Sequence, residues 1–267
     1  MPWSFLDCAI RHRRLIARLT RARIDARYRG SLLGWLWMWV LPLLLLAVYT
    51  FVFGEVFRTR WGADLAGGGS SFALVLFCGL LIFGLFSECL NEAPTLLAAH
   101  QPYLKQLLFP SEILAWVVLG TAAVRLAVGL LLLLAVRWLV LGPPPLTVLW
   151  LPLACLPVAL LALGGTWLIS SLGLFVRDIG HGISAFTAAL LFLSPVFYPV
   201  AHVPEAFGRW YWLNPLTPAL ESARAALFEG ARPEALPLAV STAVGFAIAW
   251  LGYGWFQRAK AGFVDVL

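Results

Sequence analysis

Long apolar stretches, separated by short polar segments, run along almost the whole chain. A transmembrane helix needs about 20 apolar residues, and six stretches reach or approach that length. The pattern therefore predicts six transmembrane helices. In chain order, they are Leu32–Phe57, Phe72–Glu92, Ile113–Val136, a span that starts near Leu146, Gly182–Val200 and Leu236–Gln257.

Proline and alanine refine this pattern in two places. The run Trp138–Val176 contains no Asp, Glu, Lys or Arg and is too long for one span, so the triple proline at 143–145 is predicted to break it. In the last stretch, Ala239, Ala243 and Ala247 recur at a spacing that places small side chains on one helix face. Such a face favours close packing against a neighbouring helix.

The segment before the first apolar stretch is rich in arginine. Residues 3–28 are predicted to form an amphipathic helix on the inner membrane surface, and a basic tail that only sets topology is the alternative. A secretory signal is excluded, because the basic region and the apolar run are both too long and no small-x-small cleavage site follows. The apolar stripe would consist of Phe5, Leu6, Ile10, Ile16, Leu19 and Ile24, opposite Arg11, Arg13, Arg14, Arg18, Arg21, Arg23, Arg27 and Arg29.

The composition supports a single polytopic membrane domain of the all-α class. Of the 267 residues, 61% are hydrophobic and 12% are charged, whereas a soluble domain is about 25% charged. The 13 tryptophans and 17 prolines also suit a membrane protein. We therefore divide the chain into an interface helix (1–30), a six-span domain (31–258) and a tail (259–267).

Basic residues orient the chain. With the N-terminus inside, the predicted inner segments carry more Lys and Arg than the outer segments, as cytoplasmic segments do. Both termini are therefore predicted to be cytoplasmic. The net charge of +6 is concentrated before the first span, which favours membrane lipid with anionic headgroups, rather than nucleic acid, as its partner. Neither the four cysteines nor the four histidines suggest a metal site or a metal cofactor.

Two connecting segments are predicted to be more than simple turns. Residues 96–113, on the inner side, show a short helical pattern that ends at Pro110. The outer segment Glu205–Glu234 is too polar to span the membrane, yet it contains neighbouring aromatic residues. That combination favours short re-entrant or interfacial helices, and an ordinary surface loop is the alternative.

Several stretches resemble one known family. YRGSLLGWLW followed by VYTFVF resembles the first span of polysaccharide-exporting ABC transporter permeases of the type-2 exporter superfamily. The later stretches FVRDIG, SPVFYPVAHVP and WLNPLTPALESAR resemble the C-terminal signature of the same family. The order and spacing match over nearly the whole chain. Exporters of O antigen, capsule and teichoic acid share these features.

This resemblance implies partners and a substrate. A family member forms a homodimer, works with two separate ATPase subunits that bind ATP and Mg, and moves an undecaprenyl-linked glycan across the bacterial inner membrane. O antigen is the expected glycan. The residues of this chain also favour a separate ATPase subunit. A P-loop needs a lysine after glycine, whereas Lys105 follows Leu104 and Lys260 follows Ala259. The chain is thus expected to be a transport subunit without its own P-loop.

Aromatic and charged residues are the candidates for a transport pathway. Aromatic rings offer flat apolar surface to sugars, and Tyr and Trp add a polar tip. A regular helix would place Trp35, Trp39, Tyr49 and Phe53 on one broad face, although an interfacial aromatic belt explains them as well.

Charged residues inside the membrane are costly and are functional candidates. Arg125 lies within the third span, and Glu88 and Glu92 lie in the inner half of the second. Arg125 is predicted to face the protein interior, where it either pairs with Glu88 or meets the pyrophosphate of a lipid carrier. A purely structural ion pair is the alternative.

Two further groups complete the candidate residues. Tyr103, Lys105 and Gln106 of the inner segment are predicted to contact the ATPase, and Trp210, Tyr211 and Trp212 to form an outer gate or interface. A permease for a small molecule or drug is a second possible function. A membrane-embedded glycan-lipid transferase is a distant one, because Asp178 and Glu205 have no second acid nearby.

Overall fold

Every secondary-structure element in the described part of the chain is helical. The computed structural model describes residues 4–56, 69–101, 109–176, 178–198, 200 and 211–263. The helices are α1 (Ser4–Arg11), α2 (Arg13–Tyr28), α3 (Trp37–Tyr49), α4 (Gly69–Ala99), α5 (Ile113–Leu141), α6 (Leu151–Phe175), α7 (Ile179–Leu193), α8 (Thr217–Arg224) and α9 (Ala235–Ala259). Short 3-10 helices precede α3 and α6 and follow α9, and π-helical segments follow α3 and α8, at Gly34–Leu36, Leu146–Trp150, Lys260–Gly262, Thr50–Val56 and Ala225–Glu229.

Five of these helical segments are long and apolar enough to cross a membrane. They are Gly34–Phe53, Phe72–Ala99, Ile113–Leu141, Leu146–Phe175 and Ala235–Gly262. The predicted all-α polytopic membrane class is thereby confirmed, as is the predicted start of the fourth span near Leu146.

The fifth predicted span is shorter than expected. Helix α7 has 15 residues, or about 22 Å at 1.5 Å per residue, whereas the hydrocarbon core is about 30 Å thick. Six complete spans therefore stay a prediction.

Contacts between elements define two ends of the helix bundle. At one end the Lys260 ammonium lies 2.7 Å from the Glu112 carboxylate. At the other end Arg137 donates a hydrogen bond to the Leu227 carbonyl (2.7 Å). We call these the inner and outer ends, following the predicted orientation. Helix α6 finishes at the inner end and α8 lies at the outer end, and α7 lies between them in the chain.

The N-terminal segment departs from the single surface helix expected over residues 3–28. It forms two helices that meet at His12. Phe5 is fully buried against Trp167, whose ring centroid lies 5.9 Å away, while Ile10 is 66% exposed. The predicted apolar stripe is therefore only partly correct, because Phe5 is buried at the inner end of the bundle whereas Ile10 is exposed.

Helices α6 and α9 approach each other through glycine. A Cβ atom added to Gly252 would lie 2.3 Å from the Gly164 carbonyl oxygen, and one added to Gly245 would lie 2.9 Å from the carbonyl oxygen of Pro157. The predicted packing face at Ala239, Ala243 and Ala247 is wrong, since all three residues are exposed. Close packing instead uses the opposite, glycine-containing face of α9.

Candidate functional site

A cluster of charged side chains occupies the inner half of the bundle, where α2, α4 and α5 meet. Arg125 of α5 forms an ion pair with Glu88 of α4, as predicted. Arg27 of α2 lies 3.6 Å from the same carboxylate. Arg23 donates a 2.6 Å hydrogen bond to Glu92. Three guanidinium groups thus face two carboxylates, which leaves the cluster with one excess positive charge.

Helical spacing explains this arrangement. Arg23 and Arg27 are four residues apart on α2, and Glu88 and Glu92 are four residues apart on α4, so each pair occupies one helix face. The basic face of α2 therefore lies directly against the acidic face of α4. Arg125 joins them from the side.

Besides the expected partner Glu88, the structure places residues of α2 beside Arg125, which the sequence did not predict. Helix α2 packs along the middle of α5, where Ile24 clusters with Val128 and Met38. A Cβ atom added to Gly120 would lie 2.9 Å from the Thr20 hydroxyl oxygen, which shows how close the two helices are. Because the interface helix lies at the level of Arg125, this arginine shares its depth with the α2 arginines.

A cavity of about 210 Å³ adjoins the ion pair. Glu88 and Arg125 lie in its wall, together with Tyr28, Trp37 and Met38. The sequence predicted Trp35 and Trp39, but not Trp37, as residues of the transport pathway.

The four aromatic residues expected on one face of the first span are divided. Trp35 and Trp39 are exposed on the outside of the bundle. Tyr49 and Phe53 instead pack against the core, and the Phe53 ring lies 5.3 Å from that of Phe72. The prediction of a shared face is wrong. Trp39 and Tyr49 both lie in α3, and a spacing of ten residues turns them about 80° apart around the helix axis. Trp35 lies in a 3-10 turn and Phe53 in a π-helical segment, where regular α-helical spacing does not apply.

The last two of the three C-terminal stretches that carry the family resemblance are joined at the outer end by their described residues. The Asn214 amide donates a 2.9 Å hydrogen bond to the Ser194 hydroxyl. The Arg224 guanidinium donates to the Pro195 carbonyl (2.9 Å) and to the Glu221 carboxylate (2.5 Å). These bonds join the residues after α7 to α8.

Glu221 and Arg224 were not among the predicted site residues. The Arg224 side chain is only 7% exposed, and that of Glu221 is 26% exposed. Burial raises the pKa of the Glu221 carboxyl above its ordinary value, although Arg224 and the Val200 N–H both act in the opposite direction. The three-residue spacing of an acid and a base within WLNPLTPALESAR was the available signal.

The predicted outer aromatic residues take different positions. The Tyr211 hydroxyl is hydrogen-bonded to that of Tyr198. Trp212 is 46% exposed and lines a second cavity, of about 440 Å³. Trp210 and the predicted ATPase contacts Tyr103, Lys105 and Gln106 lie outside the described residues.

Comparisons with known proteins agree on one family. A family model described as "ABC-2 type transporter" matches residues 14–228. An O-antigen export system permease protein RfbA from Myxococcus xanthus is 26% identical over 256 residues, which cover 95% of each chain. A protein of the same name from Klebsiella pneumoniae is 22% identical over 254 residues, again 95% of each chain. The capsule polysaccharide export inner-membrane protein CtrC of Neisseria meningitidis is 25% identical over 231 residues, which cover 84% of this chain and 83% of that protein.

Proposed function

The chain belongs to the ABC-2 type transporter family, and on that premise we propose that it is the permease subunit of a polysaccharide exporter. Its proposed substrate is an undecaprenyl-linked glycan, O antigen in the first instance, which it moves across the bacterial inner membrane with both termini in the cytoplasm. The observation that carries this proposal is the extent of the similarity. Relatives named as O-antigen export permeases match 95% of this chain and 95% of their own length, so the inner cluster and the joined outer stretches both fall within the matched region.

The inner charge cluster has the chemistry to receive the phosphate groups of a lipid carrier. Its excess of one guanidinium attracts an anion, and arginine binds phosphate through bidentate hydrogen bonds. Arg27 and Arg125 share the single carboxylate of Glu88, so an incoming phosphate would compete with Glu88 for both. We propose that Arg125 contacts the carrier pyrophosphate in this way while the apolar tail remains among the neighbouring helices.

Energy for export would come from a partner chain. We propose that two ATPase subunits, which bind ATP and Mg, dock on two copies of this permease. The segment 96–112 is the proposed docking site. The exposed apolar and aromatic side of α3 and of the 3-10 helix before it is the proposed surface toward the second copy and the glycan. It includes Trp35, Trp39 and Leu43.

Export by an Arg125→Ala variant tests the proposal. A strain that lacks this chain is complemented with wild type or variant, and surface glycan is measured beside lipid-linked glycan retained in the cytoplasm. Arg125→Ala is expected to lower surface glycan by about tenfold, the effect of losing about 1.4 kcal/mol of substrate interaction, with normal protein in the membrane. Arg258→Ala is the matched control, because Arg258 is exposed at the end of α9.

A charge exchange separates a structural role from a substrate role. The double variant Glu88→Arg/Arg125→Glu keeps an ion pair and should restore membrane insertion without restoring export.

Normal surface glycan in the strain that lacks the chain would refute polysaccharide export. Loss of capsule instead of O antigen would favour the capsule function of the CtrC relative, and normal export by Arg125→Ala would remove this residue from the pathway.

A further inference from the structure

The larger of the two cavities lies at the outer end of the bundle and has several charged residues in its wall. It lies between α8, the π-helical segment that follows it and the start of α9. Its volume of about 440 Å³ falls within the range of about 300–1,000 Å³ that is usual for small-molecule sites. The polar and aromatic residues in its wall are Trp212, Glu221, Ser222, Glu229, Arg232 and Glu234.

Three of these side chains carry hydrogen-bonding groups that have no partner among the described residues. Glu229, Arg232 and Glu234 are exposed, and the structure shows no side-chain hydrogen bond or ion pair from any of the three to another described residue. Glu221, in contrast, is held by Arg224 and by the Val200 N–H. The cavity therefore combines one fixed carboxylate with three polar side chains that have no hydrogen-bond or ion-pair partner among the described residues.

The arrangement fits a saccharide better than a lipid chain or a metal ion. The exposed ring of Trp212 offers a flat apolar surface to the C–H face of a sugar. Carboxylates accept hydrogen bonds from hydroxyl groups, and the Arg232 guanidinium donates them. An acyl chain would leave these charged groups unpaired. In the part of the chain that the structure describes, no three His, Cys, Asp or Glu residues are placed to hold a metal ion.

The charge of the wall narrows the class of saccharide. Three glutamates and one arginine line the cavity, so it carries an excess of two negative charges, of which Arg224 outside the wall offsets one. Sugars that carry carboxylate or phosphate groups would be repelled. We propose that this outer cavity binds an uncharged saccharide unit of the exported glycan after it has crossed the membrane. The proposal rests on the proposed polysaccharide export and adds to it a site and a preference for neutral sugars.

Binding to the whole chain in lipid nanodiscs tests the proposal. The probes are mannotriose, galactotriose and rhamnotriose, with trigalacturonic acid as the charged counterpart, and the measurement is saturation-transfer difference NMR. At least one neutral trisaccharide is expected to bind, and trigalacturonic acid is not. Trp212→Ala is expected to weaken binding by about five- to tenfold through loss of ring stacking, and Glu234→Gln by a smaller factor.

Trp150→Ala is the matched control for the tryptophan. Trp150 lies at the same end of the molecule with similar exposure, 40% against 46% for Trp212, but it is outside the cavity wall. Its replacement should leave binding unchanged. Equal weakening by Trp150→Ala and Trp212→Ala, no binding of any neutral trisaccharide, or preferential binding of trigalacturonic acid would each overturn the assignment.

Failure of this site is distinguishable from failure of the export function. If wild type restores surface glycan in the complementation assay but binds no neutral trisaccharide, polysaccharide export stands and the cavity is not a saccharide site. If the chain does not support glycan export at all, the proposed function fails first, whatever the nanodisc experiment shows, and the cavity proposal falls with it.

Discussion

Replacing Arg224 by methionine should destabilise the outer end of the bundle more than any comparable change at an exposed arginine. The substitution removes the hydrogen bonds to Glu221 and to the Pro195 carbonyl, of 2.5 and 2.9 Å. Removing one partner of a buried ion pair costs about 3–5 kcal/mol, because the other charge is left unpaired. Glu221 is 26% exposed, which allows some hydration, so we expect about 3 kcal/mol.

A double-mutant cycle isolates the pair. Glu221→Met in the Arg224→Met background removes the stranded carboxylate, so the double variant should lose only about 1–2 kcal/mol. The free energy of unfolding is measured on purified protein by SDS titration in mixed micelles, followed by circular dichroism. Arg232→Met, at an exposed position, is the control and should stay within about 0.5 kcal/mol of wild type.

The pH dependence follows from the raised pKa of Glu221. A carboxyl whose pKa is higher in the folded state lowers stability as pH rises from its ordinary value of 4.5 through the folded value. Arg224 partly offsets the effect of burial on this pKa, so Arg224→Met should raise the pKa further. The variant is therefore expected to regain part of its lost stability as the pH falls toward 4.5. Losses that are additive in the cycle, or a single-variant loss below about 1 kcal/mol, would refute the reasoning.

Three further predictions concern packing, topology and assembly. Gly252→Val should lower the midpoint of thermal unfolding, because a Cβ atom there would lie 2.3 Å from the backbone of Gly164 and overpacking typically costs about 1–3 kcal/mol. Gly254→Val is the control and should leave the midpoint unchanged, since a Cβ atom at Gly254 would have nothing within 4 Å. Equal midpoints for the two variants would contradict the close contact. A cysteine placed at Arg18 in a cysteine-free background should react with an impermeant maleimide only from the cytoplasmic side, and labelling of intact cells would reverse the orientation. A photocrosslinker at Gln106 should capture the ATPase subunit, and capture only from position 212 would reject the proposed docking segment.

The apolar pattern was sufficient to predict the class of protein and the positions at which several transmembrane helices begin. Uncharged stretches of about 20 residues have few stable arrangements other than membrane helices, so the starts of the third, fourth and last spans were predicted within a few residues. The pair Glu88–Arg125 was also predictable, because a charge within a span requires a partner and few acids were available nearby. The predicted end of the fifth span was wrong. The apolar composition continues to Val200, but helix α7 ends at Leu193.

Which helix face meets which partner was decided only by the tertiary structure. Lipid and protein neighbours are both apolar, so hydrophobic periodicity does not separate the buried face of a transmembrane helix from its exposed face. The alanines of α9 therefore appeared as a packing face, while the glycine face makes the contact. Trp37 and Trp39 are two residues apart and lie on opposite sides of α3, and only the packing of α3 decided that the Trp37 side faces the inner cavity.

The sequence by itself thus determined that the chain is a bundle of membrane helices with a basic N-terminal segment, and it identified Glu88 as an acid available to pair with Arg125. The tertiary structure alone decided that α2 lies beside Arg125 and that Arg224 reaches the Pro195 carbonyl. Local composition fixes where a helix can exist, because each helix satisfies its own backbone within the membrane. Contacts between residues far apart in the chain depend on how all the helices pack at once, and no single stretch contains that information.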